Sequence, residues 1–180
     1  KIRFLYDRDL ADSLWKDRPV LPCHPVTVLQ EDICGETVGQ KLARVREKMK
    51  EIGVEGYLLS KLDDLMWLFN IRGKDVECNP VALSYAYLTQ TSCHFFLQEG
   101  ERTQELETHM RRYEITWHDY HEIAAFLKTC EMSGKVMCDP NNTSYALYKA
   151  IAARTQIVDA PNPTELMKAV KNATELSMMR

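Results

Sequence analysis

Trp67-Leu68-Phe69-Asn70-Ile71-Arg72-Gly73-Lys74-Asp75-Val76-Glu77-Cys78-Asn79-Pro80-Val81-Ala82-Leu83-Ser84-Tyr85-Ala86-Tyr87-Leu88 is a loop set between two apolar elements. Trp67-Leu68-Phe69 closes a short apolar run, and Asn70-Ile71-Arg72-Gly73 turns the chain. Asp75 and Glu77 add charge, and Asn79-Pro80 leads into a strand. This is more specific chemistry than a plain connection needs. A guanidinium beside Gly73, where the backbone can turn sharply, can project into a cleft and form a fork with a carboxylate or a peptide carbonyl. The competing reading pairs Arg72 with Asp75 or Glu77 and holds the loop closed. Asn79 before Pro80 reads as a turn-former bonded to its own backbone. Trp67 and Phe69 read as core.

Outward from the loop, helix and strand patterns alternate. Val38, Leu42, Val45, Met49 and Ile52 recur at steps of four and three with charges between, which predicts an amphipathic helix over 37–52. Thr37 with Gln40 supplies a capping-box start and Gly53 a stop. Tyr57-Leu58-Leu59 predicts a buried strand. Ser60 and Asp63 stand at capping spacing before a short helix through Leu65–Phe69. Val81–Leu88 and Cys93–Leu97 predict a hairpin joined by the polar turn Thr89–Ser92. Residues 102–112 are helical in pattern, and Ile115–Trp117 strand-like. Asp119 is placed to cap a helix through Ile123, Phe126 and Leu127. Lys135–Cys138 and Gln156–Val158 read as strands, with a helix between them starting at Asn142 or Thr143 and carrying Leu147, Tyr148 and Ile151. Asn162-Pro163-Thr164-Glu165 predicts a final helix, still running at Arg180. Strands alternating with helices, interrupted by one hairpin, indicate an α/β fold: a mixed sheet covered by helices on both faces.

The bulk composition narrows the function classes. The chain has 180 residues, 45% hydrophobic and 27% charged, with a net charge of −3, which describes a globular domain with one core and leaves no basic footprint for nucleic acid. No apolar run approaches the roughly 18 residues of a membrane helix. Six cysteines at irregular spacings, without CxxC, read as free thiols in a reducing cytoplasm. His118 and His121 lack a Ser or Cys at motif spacing and read as solvated surface. Seven glycines and no glycine-rich phosphate loop, G-x-S-x-G or HExxH leave little for nucleotide or hydrolase chemistry.

The loop resembles the middle domain of the three-domain Xaa-Pro aminopeptidases, the aminopeptidase P branch of the creatinase/prolidase superfamily, whose pattern reads WLFN-hydrophobic-RG-x-DV-x-x-NPV-x-x-SY. Residues 9–22, with Leu14-Trp15-Lys16-Asp17-Arg18-Pro19 at their centre, resemble that family's connector between its first and second domains. Residues 168–180 resemble the opening helix of its third domain, in the spacing K-x-x-KN-x-x-E-x-x-x-x-R. Cys78 departs from the family pattern, in which His is common there. The resemblance implies a fold like the creatinase/prolidase N-terminal domains and three segments: 1–35 as the tail of a preceding domain and a Pro-containing linker, 36–162 as the α/β domain, and 163–180 as the start of the first catalytic-domain helix. It also implies that this chain is an accessory domain without metal ligands, since the two Asp, one His and two Glu that hold two divalent ions, manganese in type, lie downstream. Arg72, Asp75 and Asn79 become the substrate-cleft candidates. The implied partners are the chain's own catalytic domain, a second copy in a homodimer, and proline-containing peptides. There is no nucleic acid or membrane partner, and the location is cytoplasmic. The alternative is a free-standing α/β binding or scaffold module without peptidase chemistry.

Overall fold

The computed structural model describes residue 11 and residues 14–180. Its frame is a six-stranded sheet ordered β6-β5-β4-β2-β7-β8. The strands are β2 (Gly56–Leu59), β4 (Ser84–Thr89), β5 (Cys93–Leu97), β6 (Thr116–Asp119), β7 (Val136–Cys138) and β8 (Ile157–Asp159). Pairing is antiparallel between β2 and β4 and within the β4–β5 hairpin, and parallel elsewhere, so the sheet is mixed as expected.

Side chains alternate between faces along a strand, and two cores follow from that period. Tyr57, Leu59, Ala86, Leu88, Phe95, Leu97 and Met137 face one side. There they meet α2 (Val38–Ile52), α3 (Leu62–Leu68) and α4 (Gln104–Arg112). Leu58, Tyr87, Phe96, Val136 and Cys138 face the other, against α5 (Ile123–Thr129) and α6 (Tyr145–Ala152). Two buried faces explain why β2 and β4 read as continuous apolar runs rather than alternating ones.

Local signals acted as their chemistry predicts at several ends. Thr37 Oγ1 accepts from the Gln40 amide at 3.1 Å while Gln40 Oε1 accepts from the Thr37 amide at 2.8 Å, and Gly53 closes α2 at φ 76°. Asp119 makes a capping box with Glu122 around the 3-10 turn that precedes α5.

Other expectations are corrected. Ser60 does not cap α3; its hydroxyl donates to the Asn142 carbonyl at 2.7 Å. The hairpin's first strand begins at Ser84 rather than Val81. The helix expected from Asn142 or Thr143 begins at Tyr145 because Ser144 is the cap. The single C-terminal helix is two: α7 (Pro163–Ala169) and α8 (Ala173–Met178). Val170 is extended, and Asn172 starts a new capping box with Glu175. The stretch read as a surface linker contributes to the domain itself. Val26 is buried in the core, β1 (Thr27–Val28) pairs with β3 (Ile71–Arg72), and α1 (Glu31–Cys34) buries Cys34. Residues 1–10, 12 and 13 lie outside the described residues, and with them Asp9, Leu10, Asp12 and Ser13 of the connector-like stretch.

Candidate functional site

The loop leaves α3 through Phe69 and Asn70. Phe69 is fully buried with its ring 4.7 Å from Phe95. Asn70 takes φ 53°, a left-handed conformation that Asn tolerates. Its side chain is held from beneath. Asn70 Nδ2 donates to the Glu36 carbonyl at 2.9 Å, and Oδ1 accepts from Lys41 Nζ at 2.6 Å.

Lys41 is only 1% exposed. Its ammonium also donates to the Trp67 carbonyl at 2.8 Å and lies 4.4 Å from the Trp67 ring centroid. Two acceptors and a π face replace the water it has lost, and burial lowers its pKa. Sequence reading counted Lys41 among the polar positions of α2. The signal was its phase, three residues after Val38 and four before Val45, on the apolar stripe.

Beyond β3 the loop doubles back on itself. Gly73 donates its amide to the Pro80 carbonyl at 3.2 Å, and Asp75 to the Val81 carbonyl at 3.0 Å. A Cβ on Gly73 would stand 2.4 Å from the Ala82 nitrogen, so glycine serves close backbone approach here rather than the sharp turn expected of it. The turning is done by Asn70 and, at the tip, by Cys78 with φ 59°. Asn79 closes that tip through its backbone, donating to the Val76 carbonyl at 3.1 Å and accepting from the Val81 amide at 2.8 Å.

Arg72 and Asn79 line a groove of about 480 Å³ between the loop and the C-terminal helices. Met66, Trp67, Ile33 and Met178 supply its apolar wall. The Arg72 guanidinium makes one hydrogen bond, 2.8 Å to the carbonyl of Ile71. Among the described residues it pairs with no carboxylate, neither Asp75 nor Glu77. Asp75 is absent from the groove. Its side chain is fully buried and accepts from the amides of Leu83 at 2.8 Å and His24 at 3.2 Å and from His24 Nδ1 at 3.2 Å. As a cleft candidate Asp75 is therefore corrected to an internal fastening of the loop.

The groove's far wall is anchored by α7. Lys168 donates to Asp63 and, at 2.6 Å, to Asp64, which is fully buried and also accepts from Thr164 Oγ1 at 2.7 Å. Burial alone would lower the Lys168 pKa, but the two carboxylates outweigh it and the net shift is upward. Tyr57 donates its hydroxyl to Asn162 Oδ1 at 2.8 Å, so Asn162, at the N-cap of α7, makes no side-chain cap and ties the helix entry to β2.

The two histidines also part ways. His121 is exposed, whereas His118 is half-buried, its Nε2 3.0 Å from His94 Nδ1 and its ring stacked on Phe96. Phe96 belongs to the core on the opposite face of the sheet from Trp67. Burial lowers the imidazole pKa of His94 and of His118. The six cysteines are free thiols; burial pushes Cys93 up to about 12. Among the described residues, no group of three or more His, Cys, Asp or Glu is placed to hold a metal ion, and no helix is long and apolar enough to cross a membrane. The arrangement can hold and orient an anionic or carbonyl group at Arg72; it has no nucleophile and base in contact there.

Residues 17–175 match the family model of the creatinase/prolidase N-terminal domain. The chain is 31% identical over 179 residues to a probable Xaa-Pro aminopeptidase P of Penicillium rubens, and 30% identical over 178 residues to Xaa-Pro aminopeptidase app-1 of Caenorhabditis elegans. Each alignment takes in 96% of this chain but 29% of the relative, so the chain spans less than a third of their length. The crystal structure of X-prolyl aminopeptidase from C. elegans, described as a cytosolic enzyme with a di-nuclear active site, superimposes with a TM-score of 0.86 at 29% identity, over 96% of this chain and 29% of that one. An Xaa-Pro dipeptidase from Bacillus anthracis shares the fold at a TM-score of 0.61 and 17% identity, over 78% of this chain and 38% of its own.

Proposed function

This chain belongs to the creatinase/prolidase N-terminal domain family, and from that premise we propose that it is a non-catalytic accessory domain of a metal-dependent Xaa-Pro aminopeptidase. The parent removes the N-terminal residue that precedes proline. A separate catalytic domain would hold two divalent metal ions, manganese in type, whose chemistry would be the activation of water for attack. In this scheme the ligands lie in that domain, and the part of this chain is positional. It shapes one wall of the substrate cleft, contributes to subunit contacts in a cytoplasmic homodimer, and packs against its own catalytic domain. Within this scheme residues 1–35 arrive from a preceding domain and residues 163–180 lead toward the catalytic one.

The observation that carries the reading is the uncommitted guanidinium of Arg72. It stands on a groove wall of Trp67 and Met66, on a loop whose every other fastening is internal. A partly desolvated cation without a carboxylate gains most from an anionic or carbonyl ligand. Asn79 stands beside it on the same groove. The test uses the full-length parent, wild type against Arg72→Ala, releasing the first residue from an Xaa-Pro peptide with Mn present. Loss of kcat/KM at unchanged melting temperature supports substrate contact. A destabilised variant of normal specific activity sinks it.

A further inference from the structure

Beneath the loop lies a second cluster that groove binding does not use. Glu101 is fully buried. Its Oε1 accepts from Gln98 Nε2 at 2.9 Å, while Oε2 is buried without a donor. The polar neighbour is another carboxyl, Asp75, itself fully buried and already accepting from Leu83 and His24. Two adjacent buried carboxylates cannot both stay ionised without a cation between them. Among the described residues no lysine or arginine is bonded to either: the next residue, Arg102, spends its guanidinium on Glu107 at 2.7 Å and over the Trp117 ring, and the one basic group at the pair, the exposed His24 imidazole, lies on Asp75 and not on Glu101.

We propose that Glu101 keeps its proton and donates it to Asp75, and that this proton is a latch fastening the 22–26 segment and the 98–101 turn to the loop that bears Arg72 and Asn79. With Glu101 neutral, Oε2 carries an O–H that donates to Asp75 and both buried oxygens are satisfied. The three chain segments are already joined around that contact: Gln98 Nε2 donates to the Pro22 carbonyl at 2.6 Å, the Val26 amide to the Glu101 carbonyl at 3.2 Å, and His24 to Asp75. Removing the proton places two negative charges together, and the loop's internal fastening gives way.

The groups that face the pair are His24 and Cys23 from the preceding segment, Gln98 from the turn, and Tyr120 after β6. Burial, then the charges of Glu101 and Asp75, raise the Cys23 thiol; burial and the Tyr85 hydroxyl raise Tyr120. Neither supplies a positive charge. Burial, then Asp75, push Glu101 itself up to about 8. An acid whose folded pKa is raised contributes stability that is complete below its unfolded pKa and is lost as pH climbs through the folded value. The latch is therefore closed in mild acid and opens through about pH 8.

Carbon-13 NMR of the Glu101 side-chain carboxyl in the wild-type chain reads the latch directly. A midpoint near 8 is expected; a midpoint in the ordinary carboxylate range, below about 5, overturns the proposal. Denaturant midpoints of wild type and Glu101→Gln are then compared near pH 5.5 and pH 9. The wild type should lose stability across that interval relative to the variant, whose amide cannot ionise; parallel falls overturn the latch. If Glu101→Gln fails to fold, the titration alone decides. The consequence for Arg72 rests on the function proposed above. A Glu101 midpoint near 8 with an Arg72→Ala parent of full activity would leave the latch standing and remove the cleft role.

Discussion

Arg72 and Lys41 are two cations on one groove with opposite fates, and substitution separates them. Arg72 spends one hydrogen bond on its own backbone, so Arg72→Ala should leave the melting temperature of the parent within a degree or two. The lost charged hydrogen bond to substrate should cost about 1.5–3 kcal/mol, roughly ten- to hundredfold in kcat/KM. Lys41→Met should do the reverse. It strands the Trp67 carbonyl and Asn70 Oδ1 in the interior and should cost roughly 2–4 kcal/mol in urea denaturation. A Lys41→Met chain with wild-type stability would show that water takes over both acceptors. That Arg72 and Asn79 stand on a groove was legible in sequence, because a charge and a turn residue in a loop announce themselves locally. Asp75 was not, because its partners His24 and Leu83 are brought to it by folding.

At the level of elements, the loop and the C-terminal helices differ in how they are held. The 73–81 arch depends on backbone contact at Gly73, where a methyl group would meet the Ala82 nitrogen at 2.4 Å. Gly73→Ala should therefore destabilise by roughly 1–3 kcal/mol through overpacking. An unchanged unfolding midpoint would mean the arch is free to shift. α7 is tied down by Lys168, Thr164 and Asn162, whereas α8 has no buried residue and leaves Leu176, Met178 and Met179 exposed. Its own fastenings are the capping box and Asn172 Nδ2 donating to the Cys34 carbonyl at 2.8 Å. Hydrogen exchange should find α8 opening well before α2, whose apolar stripe is buried. Equal protection of both would contradict this ranking. Capping signals made α2 and α5 readable; the break at Val170 was not, because Asn172 can sit in mid-helix or start a new one, and its contact with Cys34, far away in sequence, favours the second.

For the whole molecule, the proposed division between catalysis and support is open to a direct test. On the accessory role proposed above, the purified chain, given Mn, Co or Zn and an Xaa-Pro peptide, should release no first residue, because the metal ligands would lie in the parent's catalytic domain. Turnover that follows the chain through purification would overturn the accessory role. Its relatives' greater length is where the catalytic groups of the proposed parent are sought.

What the sequence by itself determined is the part governed by periodicity and local caps. The 3.6-residue stripe of α2, the period-2 strands of the hairpin and the alternation of helix with strand were enough to require a mixed sheet with two covered faces. The motif around Trp67–Tyr85 was enough to point to the family. Tertiary structure decided the rest, because it depends on contacts between residues far apart in the chain. Lys41 meets Asn70, Asp64 meets Thr164, and Asp75 meets both His24 and Glu101 only after the sheet has formed. Whether a charged residue of this chain finds an internal partner or is left on the groove was decided by which acceptors the fold placed within about 3 Å of it, and by how much water it left there.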